Sequence, residues 1–295
     1  MKKFIGYIQL MRPANVVTSV ADVLAGIAIS GYVLMHSGNL QLLPIILLCI
    51  STIGLYSGGI IFNDVFDAEL DKKERPERAI PSGLISKREA SIFGAVFFFI
   101  GVVAAAIYNP ISQHVAVAIM IACLIYNRFL KHSAIFGPLN MGLCRGLNLL
   151  LGVSIIPEFV QVWWYLAMIP IVYIAAITMI SRGEVHGGSK KTLYFAALLY
   201  LLVIGSVIAF AAINTQLPLT IAFLVPFSVM IFMPLFKAIQ NPEGRNIGKA
   251  VKAGVIALIL LNAAWAASFG AWQLAIIIVI LLPLSLGLSK AFAVT

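Results

Sequence analysis

The chain has 295 residues, of which 61% are hydrophobic and only 11% charged, and its mean hydropathy is +1.03. Soluble domains are nearer half apolar and a quarter charged, so this composition excludes one. The apolar residues fall in runs of about 20, the length that crosses bilayer hydrocarbon.

In chain order, hydropathy predicts spans at 14–35, 41–62, 89–108, 112–129, 134–157, 162–181, 191–212, 217–237 and 249–268. A further apolar stretch at 271–289 is long enough for an additional C-terminal helix. The expectation is an all-α, polytopic bundle of nine to ten helices, formed by a single domain over 1–295, with a central cavity opening to the cytoplasmic side. Strand-type alternation is absent, which argues against a β-barrel.

The net charge of +9 raises nucleic acid as a partner, and the placement of the charges decides against it. If the helices alternate in direction, Lys2, Lys3, Arg12, the 63–88 loop, Arg128, Lys131, Arg182, Lys190, Lys191, Lys237, Arg245, Lys249 and Lys252 share one face. The opposite loops, near 36–41, 109–112, 158–161, 213–216 and 269–271, contain no Lys or Arg, and only Glu158 is charged there. By the positive-inside rule the basic loops and the N-terminus are cytoplasmic, and the basic balance speaks for topology and anionic lipid. A bacterial inner membrane is the expected location, with plastid and archaeal membranes as alternatives. Residues 1–13 are broken by Gly6, Gln9 and Arg12, so the first span is expected to act as an uncleaved signal. Cys49, Cys123 and Cys144 fall in predicted spans with no paired spacing and read as small packing residues.

Ionisable residues inside spans are costly and normally face a cavity or one another. Asp22 in the first span and Arg145 in the fifth are therefore expected to line the cavity, with Arg145 near substrate or paired with Asp22. A structural ion pair is the competing reading. Asn140, Asn148 and Asn262 read as interhelical hydrogen-bonding groups. Among the aromatics, Tyr56, Phe62 and Tyr126 are candidates to face an isoprenoid chain with their π-faces.

Directly after the second span comes Asn63-Asp64-Val65-Phe66-Asp67-Ala68-Glu69-Leu70-Asp71. At about 100° per residue, Asp64, Asp67 and Asp71 share one helix face within roughly 60°. Three acids so placed repel unless a positive charge sits among them, and a hard divalent cation with oxygen ligands fits. A merely solvated acidic loop is the bland alternative. Arg75 and Arg78 follow, suited to phosphate oxygens, and equally to plain positive-inside anchoring. Pro76, Pro81 and Gly83 end the helix and set the loop's path.

The pattern N-D-x-x-D-x-x-x-D followed by R-P-E-R-x-x-P-S-G resembles the first signature of the UbiA superfamily of intramembrane prenyltransferases. Arg12-Pro13 with Asn15 is similar to that family's opening, and Tyr126 with Lys131 to its Tyr…Lys pair after the fourth helix. The resemblance implies nine helices, cytoplasmic active-site loops after helices two and six, and magnesium-dependent chemistry on an isoprenyl diphosphate. It implies catalytic roles for Asp64, Asp67, Asp71, Tyr126 and Lys131, and substrate contacts by Asn15 and Asn63.

The family's second motif, D-x-x-x-D after helix six, is incomplete here. Ile180 and Glu184 stand where the two aspartates would be, in Ile180-Ser181-Arg182-Gly183-Glu184-Val185-His186. Glu184 thus joins Asp64, Asp67 and Asp71 as an expected metal ligand and substrate contact, with His186 a poor additional one for magnesium. Arg182 is expected either to supply by its charge what a second metal would supply, or to belong to a weakened site with different chemistry.

The expected reaction moves an isoprenoid group from an isoprenyl diphosphate to a lipophilic acceptor, aromatic or otherwise. Negative charge developing on the departing diphosphate would be stabilised by magnesium with Arg75, Arg78, Lys131 and Arg182. The alternatives are a glycosyl-type transfer to a polyprenyl phosphate, or a non-catalytic isoprenoid lipid carrier.

Overall fold

The computed structural model describes residues 2–36, 38–184 and 187–292. Helix α1 (Lys2–Met11) precedes α2 (Pro13–Ile29) and the short α3 (Tyr32–Met35). Then come α4 (Leu42–Glu74), α5 (Lys87–Tyr108), α6 (Pro110–Ile125) and α7 (Phe136–Val153). After the short α8 (Phe159–Trp163) follow α9 (Met168–Ser181), α10 (Lys190–Ile213), α11 (Leu217–Gln240), α12 (Gly244–Ser268) and α13 (Trp272–Ala291). Among the described residues nine helices are long and apolar enough to cross a membrane. α7 is the tenth rod; Asn140, Arg145 and Asn148 dilute its apolar character over 18 residues. The protein is an integral membrane protein.

α2 packs on α4, and each later long helix on its predecessor through α5, α6, α7, α9, α10, α11 and α12. α12 returns to α2 and closes a ring, which α2 crosses to meet α7. α13 lies against α2 and α12, where Ser285 Oγ donates to the Ala14 carbonyl at 3.1 Å. The additional C-terminal helix is therefore present, and it braces the first span.

Close approach of α2 and α7 depends on glycine. A Cβ on Gly26 would lie 2.1 Å from the Leu149 carbonyl oxygen, and one on Gly152 2.1 Å from that of Val23. In the half of the ring formed by α9–α12 the interior is filled by Tyr173, Tyr200, Phe227 and Trp265, all essentially inaccessible. The half bounded by α2, α4, α6 and α7 instead holds a cavity. Apolar side chains on the outer faces, such as Phe99, Leu201, Val225 and Ile280, are exposed in the manner of lipid-facing residues.

α1 extends the predicted spans. It is a short amphipathic helix with no long apolar run, and it lies along the rim of the bundle, with Leu10 buried and Phe4 exposed. Leu10 packs with Ile61, Val65, Ile85 and Ala90, which fixes α1 and the 75–86 loop to α4 and α5. Lys3 pairs with Glu89 at 2.6 Å, and Ser86 and Glu89 cap α5 reciprocally.

Candidate active site

The acidic motif occupies the last turns of α4, which continues without a break from the membrane to Glu74. Pro13 starts α2, and the residue before it, Arg12, takes a left-handed backbone with φ 47°. That kink sends its side chain to α4, where Nη2 meets Asp64 Oδ1 at 2.6 Å. Arg78, returned by the 75–86 loop, reaches Asp71 Oδ2 at 2.9 Å and Asp64 Oδ1 at 3.5 Å. Lys131 pairs with Asp67. The cation expected among the three acids is thus supplied by the chain itself, from three separate segments.

Lys131 owes its place to a π-helical turn at Tyr126–Leu130, where the Lys131 N–H donates to the Tyr126 carbonyl at 3.0 Å. Such wide turns often mark functional sites. Here it turns Tyr126 and Asn127 inward. Asn127 donates to the Gly59 carbonyl at 2.9 Å and accepts from Asn63 Nδ2 at 3.0 Å, locking the first motif to the α6–α7 turn. Burial pushes the Lys131 ammonium down, with the Asp64 carboxylate acting against it.

A cavity of about 440 Å³ opens beside these residues. Arg12, Asn63, Arg75 and Ser181 line its rim and Tyr56, Tyr126, Arg145 and Asn148 its interior, while Asn15, one helical turn from the Thr18 that binds Arg145, lines the passage between. A smaller chamber of about 290 Å³ lies across Arg12 and Arg75 and contains Asp64, Glu77 and Arg78. Phe62 is not in the lining; it stacks on Phe98 at 5.5 Å, on the seam between α4 and α5. Cys123 and Cys144, whose sulfurs lie 3.7 Å apart, are also in the lining of the larger cavity.

Asp22 and Arg145 pair at 2.5 Å, as the ion-pair reading expected. Arg145 lines the cavity; Asp22 sits behind it and does not. Asn148 and Asn262 both donate to Asp22, at 3.1 and 2.7 Å, and Asn140 donates to the Ala122 carbonyl at 2.9 Å.

The second loop departs most from expectation. Ile180 is 2% exposed and belongs to the hydrophobic core, so the position of the missing aspartate is a packing position. Arg182 is exposed and donates to the Ser133 carbonyl; it ties the second loop to the 131–135 turn and does not line the main cavity. Glu184 is half-buried, and burial raises its carboxyl, with Arg75 opposing. His186 lies outside the described residues.

Hard oxygen donors suit magnesium. Asp64, Asp67 and Asp71 provide them on one face, while among the described residues no three acidic, His or Cys side chains are close enough together to hold an ion as they stand. Their oxygens face Arg12, Arg78 and Lys131, so that the three acids stand as a set of ion pairs. The donor set fits the metal chemically, provided those cations find other anions. Arg12 and Asn127 are the site residues that the sequence reading left out; Arg-Pro at a helix start was the signal for the first, and the second carried none.

The sequence profile of the UbiA prenyltransferase family matches residues 24–254. Digeranylgeranylglyceryl phosphate synthase of Sulfurisphaera tokodaii is 31% identical over 181 residues, 61% of this chain and 62% of that protein. The enzyme of the same name from Methanothrix thermoacetophila is 33% identical over 147 residues, 49% of this chain and 52% of that protein. The chain thus spans about half to six tenths of the length of the curated relatives it matches. Among solved structures, the apo UbiA homolog of Aeropyrum pernix superposes with a TM-score of 0.68 at 17% identity, covering 84% of this chain and 96% of that one. The Archaeoglobus fulgidus homolog bound to DMAPP and Mg²⁺ gives 0.65 at 18% identity, covering 90% and 99%. With a profile match over most of its length and the same helical fold, the chain belongs to the UbiA prenyltransferase family.

Proposed function

We propose that the protein is a membrane-embedded prenyltransferase that moves an isoprenoid group from an isoprenyl diphosphate to a lipophilic acceptor with Mg²⁺ bound at its first motif. The observation that carries this reading is the row of three carboxylates, each held by a basic residue, at the rim of an intramembrane cavity. The synthases named above and the DMAPP- and Mg²⁺-bound homolog support it by family.

A diphosphate brings anionic oxygens that can take the place of the carboxylates now paired with Arg12, Arg78 and Lys131. With these cations paired to a diphosphate, Asp64, Asp67 and Asp71 would be the residues that hold the metal, with Glu184 nearby beside Arg75. Bound there, Mg²⁺ would help neutralise the charge that develops on the departing diphosphate. The cavity, with Tyr126 in its lining, would shield the allylic cation from water. Asn63 and Asn127 hold the motif in register. By the positive-inside rule this rim is cytoplasmic. A prokaryotic plasma membrane suits that orientation, and the relatives named above are archaeal.

The test supplies purified protein with Mg²⁺, geranylgeranyl or farnesyl diphosphate, and a membrane lipid extract. Release of diphosphate together with a prenyl mass increment on an extract component, both lost in Asp64→Ala and Asp67→Ala, is expected. Donor binding without turnover would leave a lipid carrier, and transfer of a sugar to a polyprenyl phosphate the glycosyl-type enzyme.

A further inference from the structure

The inner end of the cavity is polar where an isoprenoid tail would need it apolar. At Tyr56 it lies about 10 Å from the rim, taken as the rise along α4 between Asn63 and Tyr56. Arg145 dominates it and is only 5% exposed. Its Nη1 donates to Asp22 at 2.5 Å, and its Nη2 to Thr18 Oγ1 at 2.5 Å and to the Tyr56 hydroxyl at 3.3 Å. The guanidinium sits 4.8 Å from the Tyr56 ring centroid. Both carboxylate oxygens of Asp22 are occupied, Oδ2 by Arg145 and Asn148 and Oδ1 by Asn262.

The charge of Arg145 is therefore matched, and what remains toward the cavity is hydrogen-bonding capacity without net charge. Among the described residues, Nε of Arg145, the hydroxyl hydrogen of Tyr56 and the side-chain amide of Asn15 have no partner, and all three side chains line the cavity. A buried donor left without an acceptor is costly, so a hydrocarbon tail is a poor occupant. The tail has an apolar wall elsewhere in the same cavity, at Leu55, Ile60, Ile119 and Met141.

We propose that this inner pocket receives the head of the prenyl acceptor and selects an uncharged, oxygen-bearing head, a hydroxyl or carbonyl, over a carboxylate or phosphate. The inference rests on the reading of the cavity as a reaction chamber. A neutral oxygen accepts from Arg145, Tyr56 and Asn15 and adds no charge at membrane depth. A second anion would have to share one guanidinium with Asp22 in a low-dielectric site, where like charges repel strongly. Arg145 and Tyr56 are specificity residues in this scheme. Asp22 is a positioning residue: it orients the guanidinium and cancels its charge.

Benzyl alcohol and benzoate test this as a neutral and an anionic probe of one shape. Their binding to the detergent-purified full chain is measured by titration calorimetry or saturation-transfer NMR. The wild type is expected to favour benzyl alcohol at least about tenfold, and Asp22→Asn, which leaves Arg145 unmatched, to shift the ratio toward benzoate by a similar factor. Equal or tighter binding of benzoate by the wild type overturns the proposal, as does an unmoved ratio in folded Asp22→Asn. Should that variant not fold, Asn15→Leu decides: it keeps the ion pair, and its benzyl alcohol affinity should fall while its melting temperature stays. Affinity for geranylgeranyl diphosphate with Mg²⁺, measured on the same wild-type sample, reports on the rim alone and separates failure here from failure of the prenyl-transfer reading.

Discussion

Arg12 meets Asp64 at 2.6 Å although 52 residues separate them, and the contact joins the kink before the first span to the end of the second. Arg78 then links Asp64 to Asp71, so the first motif is built as a charge-neutral cluster that a metal and a diphosphate would have to rearrange.

Removing Arg78 should expose that design. Asp64 and Asp71 are 7% and 4% exposed, and Arg78→Ala would leave them facing one another with only Arg12 in reach. Breaking a buried pair costs about 3–5 kcal/mol. The remaining arginine and the rim's access to water reduce this to about 2 kcal/mol for the apo protein. A divalent ion at 100 times its dissociation constant returns about 2.7 kcal/mol by mass action. Melting temperatures in detergent should therefore fall in chelator and recover with Mg²⁺ more in Arg78→Ala than in the wild type. Equal Mg²⁺ shifts in the two proteins would contradict a metal site at these carboxylates.

Most of the architecture was legible because the bilayer imposes long apolar runs. The predicted spans at 89–108 and 191–212 correspond to α5 and α10 within a few residues. The predicted 14–35 span breaks at Gly31, whose φ of 72° separates α2 from α3. α1 was missed because its ten residues hold no such run. In the site, helical spacing placed the three aspartates on one face correctly, and two lone intramembrane charges announced the Asp22–Arg145 pair. Spacing says nothing of what comes from elsewhere in the chain. The arrival of Arg12, Arg78 and Lys131 depends on a left-handed residue, a loop and a π-turn, none of which leaves a periodic trace.

The glycine crossing of α2 and α7 offers a second measurement. Gly26→Ala would place a methyl group 2.1 Å from a backbone oxygen, a contact that no side-chain rotation can relieve. Overpacking costs typically 1–3 kcal/mol, and about 3 kcal/mol is expected where the obstacle is backbone. Because α2 carries Asn15 and Asp22 while α7 carries Arg145 and Asn148, separation of the two helices should also weaken the Asp22–Arg145 contact. Thermal unfolding of Gly26→Ala should show the loss, and an unaltered melting point would mean that α2 and α7 do not pack this closely.

Glu184 sets a pH dependence whose sign follows from its burial. Its carboxyl is raised in the folded chain, so the folded state holds that proton to higher pH than the unfolded state does. The contribution to stability is fully present below the ordinary glutamate value, about 4.3, and is lost as pH rises through the raised folded value. In metal-free protein the wild type should therefore lose melting temperature over that window relative to Glu184→Gln, which has no proton to release. Parallel pH profiles for the two proteins would show that Glu184 is solvated.

Ile180 provides the sharpest test of the second loop, because sequence repair and structure predict opposite results. Restoring an aspartate there completes D-x-x-x-D up to a glutamate at its far end, and motif logic expects stronger Mg²⁺ binding. The structure places the side chain in the hydrophobic core at 2% exposure, away from the lining of the main cavity. An unpaired carboxylate in that position either ionises against a heavy desolvation cost or stays protonated, and neither form can serve as a metal ligand at the rim. Ile180→Asp should thus lower the melting temperature by several degrees, consistent with a loss of about 2 kcal/mol or more, and leave the Mg²⁺ dependence of donor binding unimproved. A tighter Mg²⁺ response in a protein of undiminished stability would mean that the 180–184 segment turns toward the carboxylates of α4 when substrate binds, and that the loop keeps the function its sequence has half lost.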